Sequence, residues 1–291
     1  MKKFYGTGVA LVTPFTESLG VDFKSLKKLL NYTAKGVDYY VVMGTTGESA
    51  TCSDEEKQKV LQFVKENNPK KLPIVYGIGG NHTDHIIELI KSTDFSGVDA
   101  VLSVSPYYNK PSQEGICQHF EKIASECPVP VILYNVPGRT ASNMTADTTL
   151  RLAGHKNIVG IKEASGNIEQ CMKIAKLMPR DFLLLSGDDM WTSALYAMGG
   201  RGVISVLANG YPLIFRKIKE LAFADKHVKS NLELSKLLDI NGPMYEEGNP
   251  VGIKFVLSEL GICDRYVRLP LAPASERLES RIRLALRQLK K

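Results

Sequence analysis

The sequence predicts an α/β protein, a closed (β/α)8 barrel of parallel strands with a small all-helical appendage at its carboxyl end. Three observations carry that prediction. Eight short apolar runs are each followed by a helical run, the connections between them are short, and the stretch after the eighth pair reads as helix throughout. Residues 1–225 are assigned to the barrel and 226–291 to the helical appendage. No low-complexity linker separates the two, so the appendage is expected to pack tightly on the barrel.

The elements follow in order. Tyr5 to Val12 reads as the first strand, stopped by Thr13-Pro14, and Asp22 caps a helix from Phe23 to Lys35 with Leu26, Leu29 and Leu30 on one face. Gly36 ends that helix. Val37 to Met43 is the second strand, followed by GTTGES (Gly44 to Ser49) and by a helix that Ser53 and Glu56 open with a capping box and that runs to about Asn67. Strands are then expected at Pro73 to Ile78, Ala100 to Val104 and Val129 to Tyr134, with helices at Asp84 to Phe95, Gln113 to Glu126 and Thr145 to Ala153. Ile158 to Gly166, IVGIKEASG, carries the sixth strand. A helix from Asn167 to Leu177, a strand from Phe182 to Leu185, a short helix from Met190 to Met198 and an eighth strand from Gly202 to Val206 complete the alternation. Tail helices are expected at Asn231 to Asp239, Pro250 to Leu260 and Ala274 to Leu289.

Composition narrows the function. Of 291 residues 44% are apolar and 23% charged, as in an ordinary soluble enzyme. The net charge of +6 gathers near the terminus, where Arg268, Arg277, Arg281, Arg283, Arg287, Lys290 and Lys291 outnumber Glu276 and Glu279. Those residues are spaced as the solvated side of a helix, so no nucleic-acid partner is implied. Five cysteines without paired spacing suit reduced thiols in a cytosol. Gly6, Thr7, Gly8 and Pro14 interrupt any amino-terminal signal core, and no apolar run of about 18 residues could cross a bilayer, so a cytoplasmic protein with no membrane partner is expected.

Lys162 is the chemically conspicuous residue. An ammonium held against apolar surface loses hydration, which favours the neutral amine, a nucleophile for carbonyl carbon. A bland role would have Lys162 reach solvent or pair with Glu163. In barrels of this type reacting groups gather at the carboxyl ends of the strands. That rule brings to one mouth Thr45 and Thr46 after the second strand, Tyr107 and Tyr108 after the fourth, Tyr134 and Arg139 at the fifth, Lys162 at the sixth, Gly187 after the seventh and Ile204 near the end of the eighth. Hydroxyls, a guanidinium and a lysine around one mouth suit Schiff-base chemistry on an anionic carbonyl compound, the guanidinium holding a carboxylate. Other chemistries lack their parts. GIGGN has His82 where a dinucleotide motif needs glycine, His82 and His85 have no carboxylates to complete a metal site, and no G-x-S-x-G elbow occurs. Asp188-Asp189 is read as a helix N-cap. No metal or external cofactor is expected.

GTTGES, SPYYNKPSQEG, YNVPGRT, GIKEASG, LLSGDD and GVISVLAN together resemble the dihydrodipicolinate synthase family, within the pyruvate-dependent aldolase superfamily of N-acetylneuraminate lyase, over essentially the whole chain. The resemblance implies 4-hydroxy-tetrahydrodipicolinate synthase chemistry, the condensation of pyruvate with L-aspartate 4-semialdehyde that opens diaminopimelate and lysine biosynthesis. It implies a Schiff base on Lys162, proton transfer by Tyr134, a relay completed by Thr45 and Tyr108, pyruvate held by Thr46, Ile204 and backbone near Gly187, and Arg139 on the semialdehyde carboxylate. It also implies that Tyr108 is lent by a neighbouring subunit in a dimer, with two dimers forming a homotetramer. Feedback by L-lysine would act at Ser49, Ala50, Asp54, Lys57, Asn81, His85 and Tyr107. Lys57 and His85 depart from the inhibited pattern, which has histidine and glutamate there, so weak or absent inhibition is expected. The competing readings are another pyruvate-dependent lyase of sugar acids, which would not need a cation at position 139, and a non-catalytic regulator built on the barrel.

Overall fold

A computed structural model describes residues 1–289; Lys290 and Lys291, counted above among the terminal basic residues, lie outside it. Eight parallel strands close into a TIM barrel in sequence order. They are β1 (Gly6–Ala10), β2 (Tyr39–Val42), β3 (Ile74–Gly77), β4 (Ala100–Val104), β5 (Val131–Asn135), β6 (Ile158–Glu163), β7 (Leu183–Ser186) and β8 (Gly202–Ser205). β1 pairs with β2 on one side and β8 on the other, so among the described residues the sheet has no free edge.

Alternate strand residues face opposite ways. Those turned inward, among them Ala10, Val41, Val75, Leu102, Ile132, Leu185 and Ile204, fill the barrel interior as one apolar cluster. Those turned outward join a larger core under the helices α1 (Phe23–Thr33), α2 (Asp54–Glu66), α3 (Thr83–Ser92), α4 (Gln113–Glu126), α5 (Pro137–Thr140), α6 (Ala146–Leu152), α7 (Ile168–Leu177), α8 (Thr192–Ala197) and α9 (Pro212–Phe223). Caps expected from sequence are formed: Asp22 accepts from Ser25 N, and Ser53 and Glu56 make the reciprocal capping box.

The tail is helical: α10 (His227–Ser235), α11 (Leu238–Asn241), α12 (Val251–Glu259) and α13 (Glu276–Leu289). Leu234, Val251, Phe255 and Leu278 from it belong to the same apolar core as the outward strand residues, so the appendage does pack tightly. Several bounds differ from expectation: the helix expected to reach Phe95 ends at Ser92, the one expected from Met190 begins at Thr192, and the one expected over Asn231 to Asp239 is divided between α10 and α11. α10 begins four residues before Asn231, because Ser230 and Leu234 are buried against its neighbours while Lys226, its N-cap, makes no side-chain cap. The YNVPGRT segment holds a short helix, α5, with Pro137 in its first turn. Among the described residues no helix is long and apolar enough to cross a membrane.

Candidate active site

Lys162 ends up inside. It is 5% exposed on β6, and its Nζ lies 4.2 Å from the centroid of the Tyr134 ring, on the residue that pairs with it in register across β5 and β6. The bland alternatives for Lys162 do not hold, because the strand turns Glu163 to the opposite face. There the Glu163 carboxylate accepts from Asn135 Nδ2 (3.0 Å), Gln170 Nε2 (3.0 Å) and the Ser165 backbone (2.7 Å), which spends its acceptors outside the barrel.

Thr45 and Thr46 sit in a tight 3₁₀ turn, Thr45–Gly47, just past β2. Thr46 is buried and its Oγ1 accepts from Asn249 Nδ2 at 2.9 Å; Thr45 is half-buried. Arg139 is exposed on α5. A cavity of about 560 Å³ opens at this end, and Thr45, Tyr134 and Arg139 share its walls with Ser49, Ala50, Asp54, Lys57, Asn81, His85 and Tyr107. Thr45, Tyr134 and Arg139 from the expected mouth thus border one continuous space with the residues expected for feedback. Lys162, Thr46, Gly187, Ile204 and Tyr108 do not line it. Lys162 lies beside Tyr134, Ile204 is in the inward apolar cluster, and Gly187 donates its N–H to the Glu163 carbonyl at 2.7 Å. A side chain at Gly187 would bring its Cβ within 2.6 Å of the Ala164 Cβ, so only glycine fits there. Tyr108 points away, 89% exposed, with a left-handed φ of 73°.

The double aspartate needs a correction. Asp188 does accept from Met190 N, but Asp189 turns inward at 2% exposure and is not a cap. Its Oδ2 accepts from the backbones of Val206 (3.2 Å) and Leu207 (2.9 Å), which fixes the loop leaving β8. Burial pushes its carboxyl up to about 6, partly opposed by hydrogen bonds from Ser205 and that backbone. His82 and His85 stack with ring centroids 6.2 Å apart, and among the described residues no three His, Cys, Asp or Glu side chains gather as metal ligands.

Sequence reasoning missed three contributors: Asn249, Asp189 in its inward role, and the pair Glu48 and Lys254, discussed below. A signal existed for the last. Lys254 is the one charged residue in the otherwise apolar or small run from Val251 to Leu257, where a solvated lysine is not expected.

A parallel barrel with a buried lysine and tyrosine side by side fits a lyase of the class I aldolase type, the class to which the family match assigns the chain. The model of the dihydrodipicolinate synthetase family matches residues 3–289, and the chain belongs to that family. The 4-hydroxy-tetrahydrodipicolinate synthase of Flavobacterium psychrophilum is 50% identical over 293 residues, covering 100% of both chains. The enzyme of the same name from Cytophaga hutchinsonii is 50% identical over 286 residues, covering 98% of this chain and 96% of that one. The crystal structure of dihydrodipicolinate synthase from Thermotoga maritima superposes with a TM-score of 0.96 at 37% identity, covering 99% of each chain.

Proposed function

We propose that this enzyme condenses pyruvate with L-aspartate 4-semialdehyde, as 4-hydroxy-tetrahydrodipicolinate synthase, through a Schiff base on Lys162. The observation that carries the reading is the Lys162 amine, enclosed in the barrel 4.2 Å from the Tyr134 ring. The amine adds to the ketone carbon of pyruvate and water leaves. The resulting iminium draws electrons from the methyl group, which loses a proton and becomes the carbon nucleophile that attacks the aldehyde, whose oxygen takes up a proton. The semialdehyde's own amine then adds to the iminium carbon, closes the ring and expels the Lys162 amine. Tyr134 gives and takes the protons, with Thr45 and a neighbouring subunit's copy of Tyr108 as relay. Thr46, Ile204 and backbone near Gly187 hold pyruvate, and Arg139 takes the semialdehyde carboxylate. No external cofactor enters these steps. The exposed, left-handed Tyr108 supports the relay between subunits of a dimer, and the pairing of two dimers into a homotetramer rests on the family resemblance. The synthase name borne by relatives at 50% identity weighs against a sugar-acid lyase, and the intact lysine and tyrosine weigh against a non-catalytic regulator.

The test is borohydride reduction in the presence of pyruvate, followed by peptide mass spectrometry and a coupled assay with the semialdehyde. One pyruvyl-derived adduct is expected, on the peptide carrying Lys162. Labelling of a different lysine, or undiminished turnover in Lys162→Ala, would overturn the assignment.

A further inference from the structure

Three residues from the last part of the chain grip the loop that carries Thr45 and Thr46. Asn249 donates to Thr46, as described, and Lys254 Nζ meets Glu48 Oε1 at 2.6 Å with side-chain exposures of only 0% and 2%. Arg268 donates its backbone N–H to Glu48 Oε2 at 3.0 Å. Its guanidinium reaches the Thr51 carbonyl (3.0 Å) and forks onto the Glu56 carboxylate at 2.6 and 2.7 Å. Lys254 also donates to the Tyr266 carbonyl at 2.7 Å and lies 4.0 Å from the centroid of the Phe15 ring.

Stability alone is a poor reason for such a pair. Taking two ions out of water costs about as much as their attraction returns, and apolar side chains of similar volume commonly hold a core equally well. Burial indeed pulls the Lys254 ammonium below its usual value, and Glu48 only pushes part of the way back. What apolar contact cannot supply is direction. Glu48 closes the 3₁₀ turn Thr45–Gly47 in the left-handed region, φ 53° and ψ 36°, a conformation that a side-chain-bearing residue keeps only when its surroundings hold it there.

We propose that Glu48 and Lys254 are positioning residues, whose buried ion pair sets the orientation of Thr45 and Thr46 at the barrel mouth. The proposal rests on the role given to those threonines above. Glu48 borders the cavity, but its side chain is only 2% exposed and turned to Lys254, so both residues act through the turn.

Four proteins decide it: wild type, Glu48→Leu, Lys254→Met and the double variant, each measured for Tm and for kcat and KM. Each single variant leaves one buried charge unpaired and should lose roughly 5–15 °C in Tm. The double variant should regain most of that loss yet keep a kcat reduced by about 10- to 100-fold, because displaced threonines cost rate rather than fold. The KM for pyruvate should rise with it, while that for the semialdehyde, which Arg139 serves from a different loop, stays near wild type. A double variant with kcat above about one tenth of wild type overturns the proposal, as does one whose Tm stays as low as the singles. Should the double variant fail to fold, Glu48→Gln substitutes for it, keeping the shape and the acceptor for Arg268 N; a kcat drop of at least about fivefold supports the proposal and a smaller one overturns it. Wild-type protein with neither turnover nor a pyruvyl adduct would instead condemn the assignment of the site.

Discussion

Tyr134 and Lys162 are register partners across the β5 and β6 ladder, and the Lys162 Nζ stands 4.2 Å from the tyrosine ring centroid. Backbone hydrogen bonds between two adjacent strands therefore set the spacing of the two reactive side chains. An ammonium beside an aromatic face is also attracted by the ring quadrupole, which needs no hydroxyl.

Tyr134→Phe should for that reason keep the fold and the placement of Lys162 while losing the proton carrier. A positioned acid or base contributes roughly 10²–10⁴-fold, and kcat should fall by that order with an unchanged Tm. Borohydride trapping of pyruvate should persist. Loss of rate accompanied by an equal loss of folded protein would assign Tyr134 to packing instead.

Arg139→Ala should raise the KM for the semialdehyde and leave that for pyruvate nearly unchanged. The residue is exposed at the cavity wall, so its removal costs the fold little. One lost charge-assisted hydrogen bond corresponds to roughly a 10- to 150-fold weaker hold. Steady-state kinetics varying each substrate in turn measures the split. Equal damage to both substrates would make Arg139 structural.

Asp189 gives a pH-dependent prediction. Its folded carboxyl titrates near 6 against an ordinary value of 3.8, so between those limits the folded protein binds the proton and the unfolded chain does not. Stability from this group accordingly declines as pH rises through that window and the penalty is complete above about 7, with an upper size of roughly 3 kcal/mol. Asp189→Asn keeps an acceptor for Val206 and Leu207. It should be more stable than wild type at pH 8 by about 1–3 kcal/mol, with the gap closing towards pH 4. Denaturant unfolding at several pH values reads this directly, and a gap independent of pH would refute it.

L-Lysine should inhibit weakly or not at all. On the feedback reading given above, Lys57 would set a cation against the effector's own ammonium, with Asp54 at 2.9 Å neutralising only part of that charge and offering the ammonium no free carboxylate. His85 leans towards Glu88, 3.6 Å away. Losing one charge-assisted contact weakens binding by about 10- to 150-fold. Calorimetric titration of L-lysine, with a rate assay at saturating pyruvate, provides the check, and half-inhibition below a millimolar concentration would contradict it.

The barrel was legible because its signals are local. Each strand announces itself by an apolar run and each helix by its spacing and cap, and the strand-end rule then gathers Thr45, Tyr134, Arg139 and Lys162 without any knowledge of distance. Contacts between residues far apart in sequence were not legible. Nothing near Glu48 names Lys254 as its partner, and nothing near Thr46 names Asn249. Asp189 misled because an aspartate before a helix is usually a cap, and its neighbour Asp188 is one. The start of α10 was also displaced, because burial of Ser230 and Leu234 sets the boundary before the expected Asn231.

Because Asn249, Lys254 and Arg268 clasp a loop laid down some two hundred positions earlier, synthesis itself imposes an order on the enzyme. A nascent chain that has emerged only as far as β8 already holds all eight strands, with Lys162 and Tyr134 on them, and still lacks every partner that this tail gives to the turn of Thr45 and Thr46. The partners of that turn come last, from residues that enter no strand, so a message cut short before position 249 encodes all eight strands and none of the side chains that clasp the turn.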